Sequence, residues 1–249
     1  MKINKKNKFS SQVIVTGATG FVGQHLIPLL IKKKFNVVAI VRDKSKAANF
    51  KWVNKVKLVS LDYHKKPIKF KPEKGSCLIH LAWQGLPNYT SSFHIKENLP
   101  KNYAFIKNMI LLGVSKVLIS GTCFEYGFQK GALSTNKLPA PNNSYAIAKN
   151  KLRQRLNNFQ KKHPFILQWT RLFYLYGKGQ NKNSILAQLD KSIKNNETVF
   201  NMTKGDQLRD YLPIELAVKK ILSIFILNNS GIFNICSGKP ISIKKIVQN

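Results

Sequence analysis

The sequence predicts a doubly wound α/β fold, a parallel sheet covered on both faces by helices. Three observations point there. Short apolar runs of strand length alternate with longer stretches of helical period, the pattern of strands buried on both faces. A glycine-rich turn, Gly17-Ala18-Thr19-Gly20-Phe21-Val22-Gly23, follows the first apolar run directly. Apolar residues make up 43% of the 249, enough for a real core in one large domain or two interleaved ones.

The elements follow in order. Residues 13–16 are a short β-branched run, and 21–34 has helical spacing and a lysine-rich end that suits the negative pole of a helix. Pro28 lies inside that stretch and removes one ladder hydrogen bond. Residues 37–41, 56–61, 77–83, 117–120 and 166–172 are the further strands, and 98–112 and 145–162 are helical in period. No internal repeat or low-complexity linker interrupts them. After Gly177 the pattern loosens into a loop over 177–183, a helical stretch over 185–194 and an irregular segment over 200–209. This second region is expected to form a small cap over the carboxyl edge of the sheet, where such folds bind ligands.

Charge excludes less than its size suggests. Lys and Arg number 42 against 10 Asp and Glu, a formal net charge of +32, but only five of the cations are Arg and 37 are Lys. With 24 Asn beside them, the composition reads as a codon bias. Base-reading interfaces lean on bidentate Arg, so no specific nucleic-acid partner is expected. Lysines spread along the whole chain attract anionic small molecules. No apolar run approaches the roughly 18–20 residues that span a bilayer. The start, Met1 to Gln12, is basic and polar, unlike a secretory signal. Cys77, Cys123 and Cys236 lie far apart and make neither a disulfide framework nor a metal site. The five histidines lack metal-binding spacing. The expectation is a cytoplasmic protein without metal or membrane partner.

The turn carries the first functional signal. Gly17 allows a tight bend, Gly20 lets backbone approach a pyrophosphate, and Gly23 lets the helix pack close to the strand. Thr19, Phe21 and Val22 complete the cradle, and free N–H groups at the helix start favour phosphate. The end of the second strand then bears on the choice of cofactor. It reads Val41-Arg42-Asp43-Lys44, with Arg42 next to the position that an acidic residue holds in NAD sites. A guanidinium there suits a 2′-phosphate, so NADP(H) is favoured. A one-residue shift would return Asp43 to the ribose and leaves NAD(H) open.

The second signal is Tyr145-Ala146-Ile147-Ala148-Lys149. Residues four apart share a helix face. The Lys149 ammonium is expected to favour the ionised phenol and lower its pKa from about 10, tuning Tyr145 for proton transfer in carbonyl chemistry. Thr122 closes the fifth strand in Ser120-Gly121-Thr122, where its hydroxyl could hold the same substrate oxygen. Packing is the preferred reading for Cys123 and Glu125 over an acid role, and His80, in an apolar run, reads as a satisfied core histidine.

Taken together, the chain resembles an extended short-chain dehydrogenase/reductase of the NAD-dependent epimerase/dehydratase family, which acts on nucleotide-sugars. The resemblance runs from about Ser11 to the end and is carried, in order, by TGATGFVG, Asp62, His80-Leu81-Ala82, Asn98, SGTCFEYG, YAIAK, RLFYLYG and Arg209-Asp210-Tyr211. It implies a Rossmann-like NAD(P)-binding domain over 1–172 and, over 173–249, mainly a substrate-binding cap with elements returning to the sheet. It implies Asp62 by the adenine, Leu81, Ala82 and Asn98 among the cofactor's neighbours, and Lys149 also on the nicotinamide ribose. It sets Trp83, Cys123, Tyr174, Gln207 and Arg209 around the substrate, Arg209 at its phosphates, and makes helices 98–112 and 145–162 a homodimer interface.

Departures narrow the subclass. Dehydratases of the family carry an Asp-Glu pair after the catalytic Thr, where this chain has Cys123 and Phe124. Tyr174 stands where many members have Asn. SGTCFEYG and Trp83–Tyr89 look most like reductases of dTDP- or CDP-4-keto-6-deoxyhexoses, which serve surface polysaccharide synthesis. An epimerase that keeps NAD bound is the alternative, and a non-catalytic Rossmann-like binding protein the more distant one. Members of the family commonly run longer, so a late helix is expected to be abbreviated.

Overall fold

The computed structural model describes residues 10–66 and 69–248. The first nine residues, on which part of the leader reading rests, lie outside these. The chain runs β1 (Gln12–Thr16), α1 (Phe21–Lys32), β2 (Asn36–Val41), α2 (Lys44–Ala48), β3 (Lys57–Ser60), β4 (Cys77–His80), α3 (Leu99–Leu111) and β5 (Lys116–Thr122). It continues with α4 (Ser144–Gln160), β6 (Ile166–Leu172), β7 (Tyr174–Tyr176), α5 (Ile185–Lys194), β8 (Leu208–Arg209) and β9 (Tyr211–Pro213). It closes with α6 (Ile214–Ile226), β10 (Gly231–Ile235), β11 (Ile241–Ser242) and α7 (Ile243–Gln248).

Seven strands form one sheet in the order β10-β6-β5-β4-β1-β2-β3, every neighbouring pair parallel. The order reverses at β1, the crevice where such sheets bind ligands. Alternation along each strand feeds two cores. Val13 and Val15 pack with Leu26, Ile27 and Leu30 of α1 and Val218 and Ile221 of α6. Ile14 between them points the other way, toward Phe105, Ile106 and Met109 of α3 and Leu152 and Leu156 of α4. The fold is thus the Rossmann-like doubly wound one that the sequence predicts.

Element ends differ from expectation where side chains compete with the ladder. β4 stops at His80 rather than Trp83. The Ala82 amide donates to Thr16 Oγ1 at 3.3 Å, and the chain leaves the sheet there. β5 runs further, to Thr122. A wide π turn, His94–Asn98, precedes α3. α4 is opened by Asn143, whose Oδ1 accepts from the Ala146 amide at 2.9 Å.

Beyond residue 209 the structure adds what the sequence reading leaves without elements. α6 buries Ala217, Val218, Ile221, Leu222 and Phe225 and packs on α1. β10 then joins the sheet beside β6. The remaining pieces are small: β7 pairs with β9, and β8 with β11. α5 buries only Ser192. Among the described residues no helix is long and apolar enough to cross a membrane.

Candidate active site

A cavity of about 830 Å³ opens at the carboxyl ends of β1, β2, β4, β5 and β6. One end is made of backbone. Gly17 turns with φ +69°, and a Cβ there would meet the Ala82 amide nitrogen at 2.8 Å. A Cβ on Gly23 would meet the Gly17 carbonyl oxygen at 2.3 Å, so helix and turn touch directly. Gly20 caps α1 without any side-chain hydrogen bond, and no acidic residue stands in the first turn. The amides there have no intrahelical acceptor and border the cavity with Thr19, Phe21 and Val22. This cradle fits the pyrophosphate of a dinucleotide.

Beside it, Arg42 and Lys46 both line the cavity. Asp43 does not: its Oδ1 accepts from the amide and hydroxyl of Ser45 at 2.8 and 2.7 Å, capping α2. These bonds hold its carboxyl below the usual range. Asp62, Leu81 and Ala82 also line this end. Asn98 is a correction. It is wholly buried and lies outside the cavity lining, with Nδ2 donating to the Gln84 carbonyl at 2.8 Å. It holds the loop after β4 from behind rather than meeting a cofactor.

The opposite end is made of side chains. Thr122 ends β5 and opens a 3₁₀ turn, Cys123–Tyr126, with Oγ1 accepting from the Phe124 amide at 3.2 Å. Glu125 reciprocates, taking the Thr122 amide at 2.9 Å. The same carboxylate, fully buried, takes Trp169 Nε1 and Arg171 Nε, both at 2.9 Å. A Cβ on Gly121 would collide with Trp169 Nε1 and Glu125 Oε1. Glu125 is therefore a brace that fixes the strand end presenting Thr122, and it bears no acid role in the cavity. Cys123 does line the cavity, its thiol pushed up to about 12 by burial.

Tyr145 enters on the first turn of α4, its amide donating to the Tyr89 carbonyl at 2.9 Å. The phenol lines the cavity with Thr122 and its ring sits among those of Trp83, Tyr89 and His94, with ring centroids 5.9, 5.6 and 5.5 Å away. One turn on, Lys149 is 1% exposed. Its Nζ donates to the Ser120 carbonyl at 2.7 Å and lies 4.1 Å from the Trp83 ring centroid. The expected electrostatics are overturned here. Burial pushes the Tyr145 phenol up, with the Glu125 charge adding to it, and only Thr122 pulls it down. Lys149 is itself pushed down to about 7 by burial. Desolvation is the largest cause for both groups.

Farther along, Tyr174, Gln207 and Arg209 line the cavity, the Arg209 guanidinium 5.2 Å from the Tyr174 ring centroid. Asp210 is bonded to the Ser237 and Gly238 amides at 2.6 and 2.7 Å, away from any pairing with Arg209. The sequence reading omits Gln84, Leu86, Tyr89, Phe124 and Gln180 from the lining; the first four lie inside Trp83–Tyr89 and SGTCFEYG, and no motif marks Gln180. His80 is the satisfied core residue expected, bonded to Thr16 Oγ1 at 2.9 Å and Asn102 Oδ1 at 2.7 Å. Burial pushes it down to about 3.

A sequence profile of the NAD dependent epimerase/dehydratase family matches residues 13–236. The chain belongs to that family. Members are enzymes of the extended short-chain dehydrogenase/reductase group, NAD-dependent as the family's name states. The chain is 32% identical over 240 residues to the dTDP-6-deoxy-L-talose 4-dehydrogenase (NAD(+)) of Aggregatibacter actinomycetemcomitans, covering 95% of this chain and 88% of that protein. It is 25% identical to the dTDP-4-dehydro-6-deoxyglucose reductase of Escherichia coli, covering 95% and 79%. Its fold is that of the UDP-N-acetylglucosamine 4-epimerase of Methanobrevibacter ruminantium, solved with UDP-N-acetylmuramic acid, at a TM-score of 0.84 and 23% identity over 96% of this chain and 81% of that one.

Proposed function

We propose that this family member is a nucleotide-sugar oxidoreductase that reduces the C4 keto group of a dTDP- or CDP-linked 4-keto-6-deoxyhexose, with NADPH preferred over NADH. One observation carries the reading. Thr122 and Tyr145 together line a cavity whose only acidic lining residue, among those described, is Asp62. Ketone reduction needs a proton donor and no carboxylate. Elimination across C5–C6 needs an acid/base pair, and Cys123 and Phe124 supply none. The relatives' names, a dTDP-sugar 4-dehydrogenase and a dTDP-4-keto sugar reductase, support C4 chemistry on a 6-deoxyhexose.

A nicotinamide dinucleotide bound along the cavity would supply the hydride. The first-turn amides of α1 would hold its pyrophosphate, Asp62 would lie by the adenine and Ala82, next to Leu81, by its central part, and Arg42 with Lys46 would give two cations for a 2′-phosphate. Tyr145 gives its Oη proton to the oxyanion that forms at C4, and its raised pKa keeps that proton in place until the oxyanion appears. Thr122 donates to the same oxygen. Lys149, anchored to Ser120, would present an amine to the ribose. Trp83, Cys123, Tyr174 and Gln207 surround the sugar, and Arg209 takes the diphosphate.

In this reading residues 173–249, apart from α6 and β10, form the substrate cap, and a homodimer is built across α3 and α4. The test incubates the protein with dTDP- or CDP-4-keto-6-deoxyglucose and NADPH or NADH. Loss of reduced cofactor in proportion to 6-deoxyhexose formed is expected. Interconversion of 4-hydroxy sugars without net cofactor loss would instead make it an epimerase.

A further inference from the structure

Lys149 poses a question that the reducing centre does not answer. It is a fully buried cation, and among the described residues Nζ has one hydrogen-bond acceptor, the Ser120 carbonyl. An ammonium carries three donors, and a buried one needs compensation for lost water. The nearest ring is the face of Trp83, 4.1 Å away, within the range of a cation–π contact.

Trp83 lies on a loop past the end of β4, half-buried at the cavity wall. Its ring is fixed by one bond: Nε1–H donates to His94 Nδ1 at 3.1 Å, with the two rings near parallel at 28°. His94 is wholly buried in the turn before α3. Its Nδ1 also accepts from Asn98 Nδ2 at 3.1 Å, and its Nε2 donates to the Asn88 carbonyl at 2.7 Å. Two donors facing Nδ1 and a carbonyl facing Nε2 allow only the neutral Nε2–H tautomer. Asn98 in turn ties the Gln84 carbonyl. One imidazole therefore joins the loop after β4 to the base of α3. An apolar side chain of the same size would fill the space yet orphan two buried donors.

We propose that His94 is a positioning residue for the reducing centre: its Nδ1 anchors the Trp83 indole, and the anchored ring face holds the Lys149 amine against the Ser120 carbonyl, one helical turn from Tyr145. The other groups around Lys149 do not replace that face. Tyr145, on the same helix, has its ring centroid 5.9 Å from Nζ. Glu125, from the turn after β5, favours the charged amine but is ion-paired with Arg171 of β6. His80, from β4, is neutral by burial.

The inference rests on the role given to Lys149 above, and its test is separable because it needs no sugar. The full-length protein, labelled at lysine Cε and indole nitrogen, is titrated by NMR. The Lys149 signal is the one lost in Lys149→Met, and the Trp83 signal the one lost in Trp83→Phe. In His94→Leu the Trp83 indole leaves its hydrogen-bonded position, and the Lys149 midpoint falls by about half a pH unit. His94→Asn, whose Oδ1 stands near the place of Nδ1, restores both. If His94→Leu does not fold, Trp83→Phe and Trp83→Leu carry the test, with midpoints descending from wild type through Phe to Leu. A Lys149 midpoint unmoved in His94→Leu, or unmoved in Trp83→Leu, overturns the proposal. Turnover of dTDP-4-keto-6-deoxyglucose with NADPH is measured in parallel. Failure of the wild type there counts against the reductase reading, while the NMR order decides the role of His94.

Discussion

The two ends of the cavity are built from different materials. At the β1–α1 end the contact surface is backbone, and glycine matters because a Cβ would meet Ala82 or Gly17. At the β5–α4 end the contact surface is three buried side chains, Thr122, Tyr145 and Lys149, whose neighbours come from β5, the loop after β4 and the turn before α3. A backbone site is written in a short stretch of sequence. A side-chain site takes its proton affinities from burial, which only the folded chain sets.

The contrast can be broken most severely at the side-chain end. Tyr145→Phe is expected to cut turnover by roughly 10²–10⁴-fold while leaving cofactor affinity in place, since the cradle is elsewhere; steady-state kinetics with fluorescence titration of the cofactor checks both. The next effect is on stability and follows from Lys149. Its proton leaves near pH 7 in the folded chain, against 10.5 for the free group. Between those values the unfolded state binds more protons, so stability rises with pH. Denaturant unfolding from pH 7 to 9 should show a rise of at most about 1.4 kcal/mol per pH unit, absent in Lys149→Met.

At the backbone end, Gly23→Ala forces helix and turn apart. It is expected to lower stability by about 1–3 kcal/mol, as overpacking does, and to weaken NADPH and NADH alike. Arg42→Ala sharpens the comparison within that end: NADPH affinity falls about tenfold, the worth of one charge-assisted contact, and NADH affinity stays. The smallest effect is assigned to Asp43→Ala, which leaves both affinities within about twofold, as surface changes usually do. A selective loss of NADH binding would put that carboxylate back on the ribose.

Legibility follows the same division. The glycine spacing, the parallel strands and the Tyr145–Lys149 helix face were readable because each depends on neighbours within one or two turns. The range 166–172 for β6 needed only a run of apolar residues. The raised proton affinity of Tyr145 was not readable, since the enclosing rings of Trp83, Tyr89 and His94 lie more than fifty positions upstream. Asn98 misled because a polar residue at a helix start gives no sign of which way it faces. Glu125 was half legible: its place beside Thr122 is local, but its hold on Trp169 and Arg171 spans two strands. α6 is different in kind. Ala217, Val218, Ile221, Leu222 and Phe225 make an apolar stripe of helical period that the sequence already displays.

The seventh strand also bears on how the molecule is made. β6 leaves the ribosome some sixty residues before β10 arrives to cover its outer rim. Gln168, on that rim, waits as well: its amide is later clasped by the Ile224, Leu227 and Asn229 carbonyls. Until then the nascent chain carries an open ladder of the kind that adheres to other open ladders. A message cut short before residue 231 would thus release a sticky fragment in place of a smaller working enzyme.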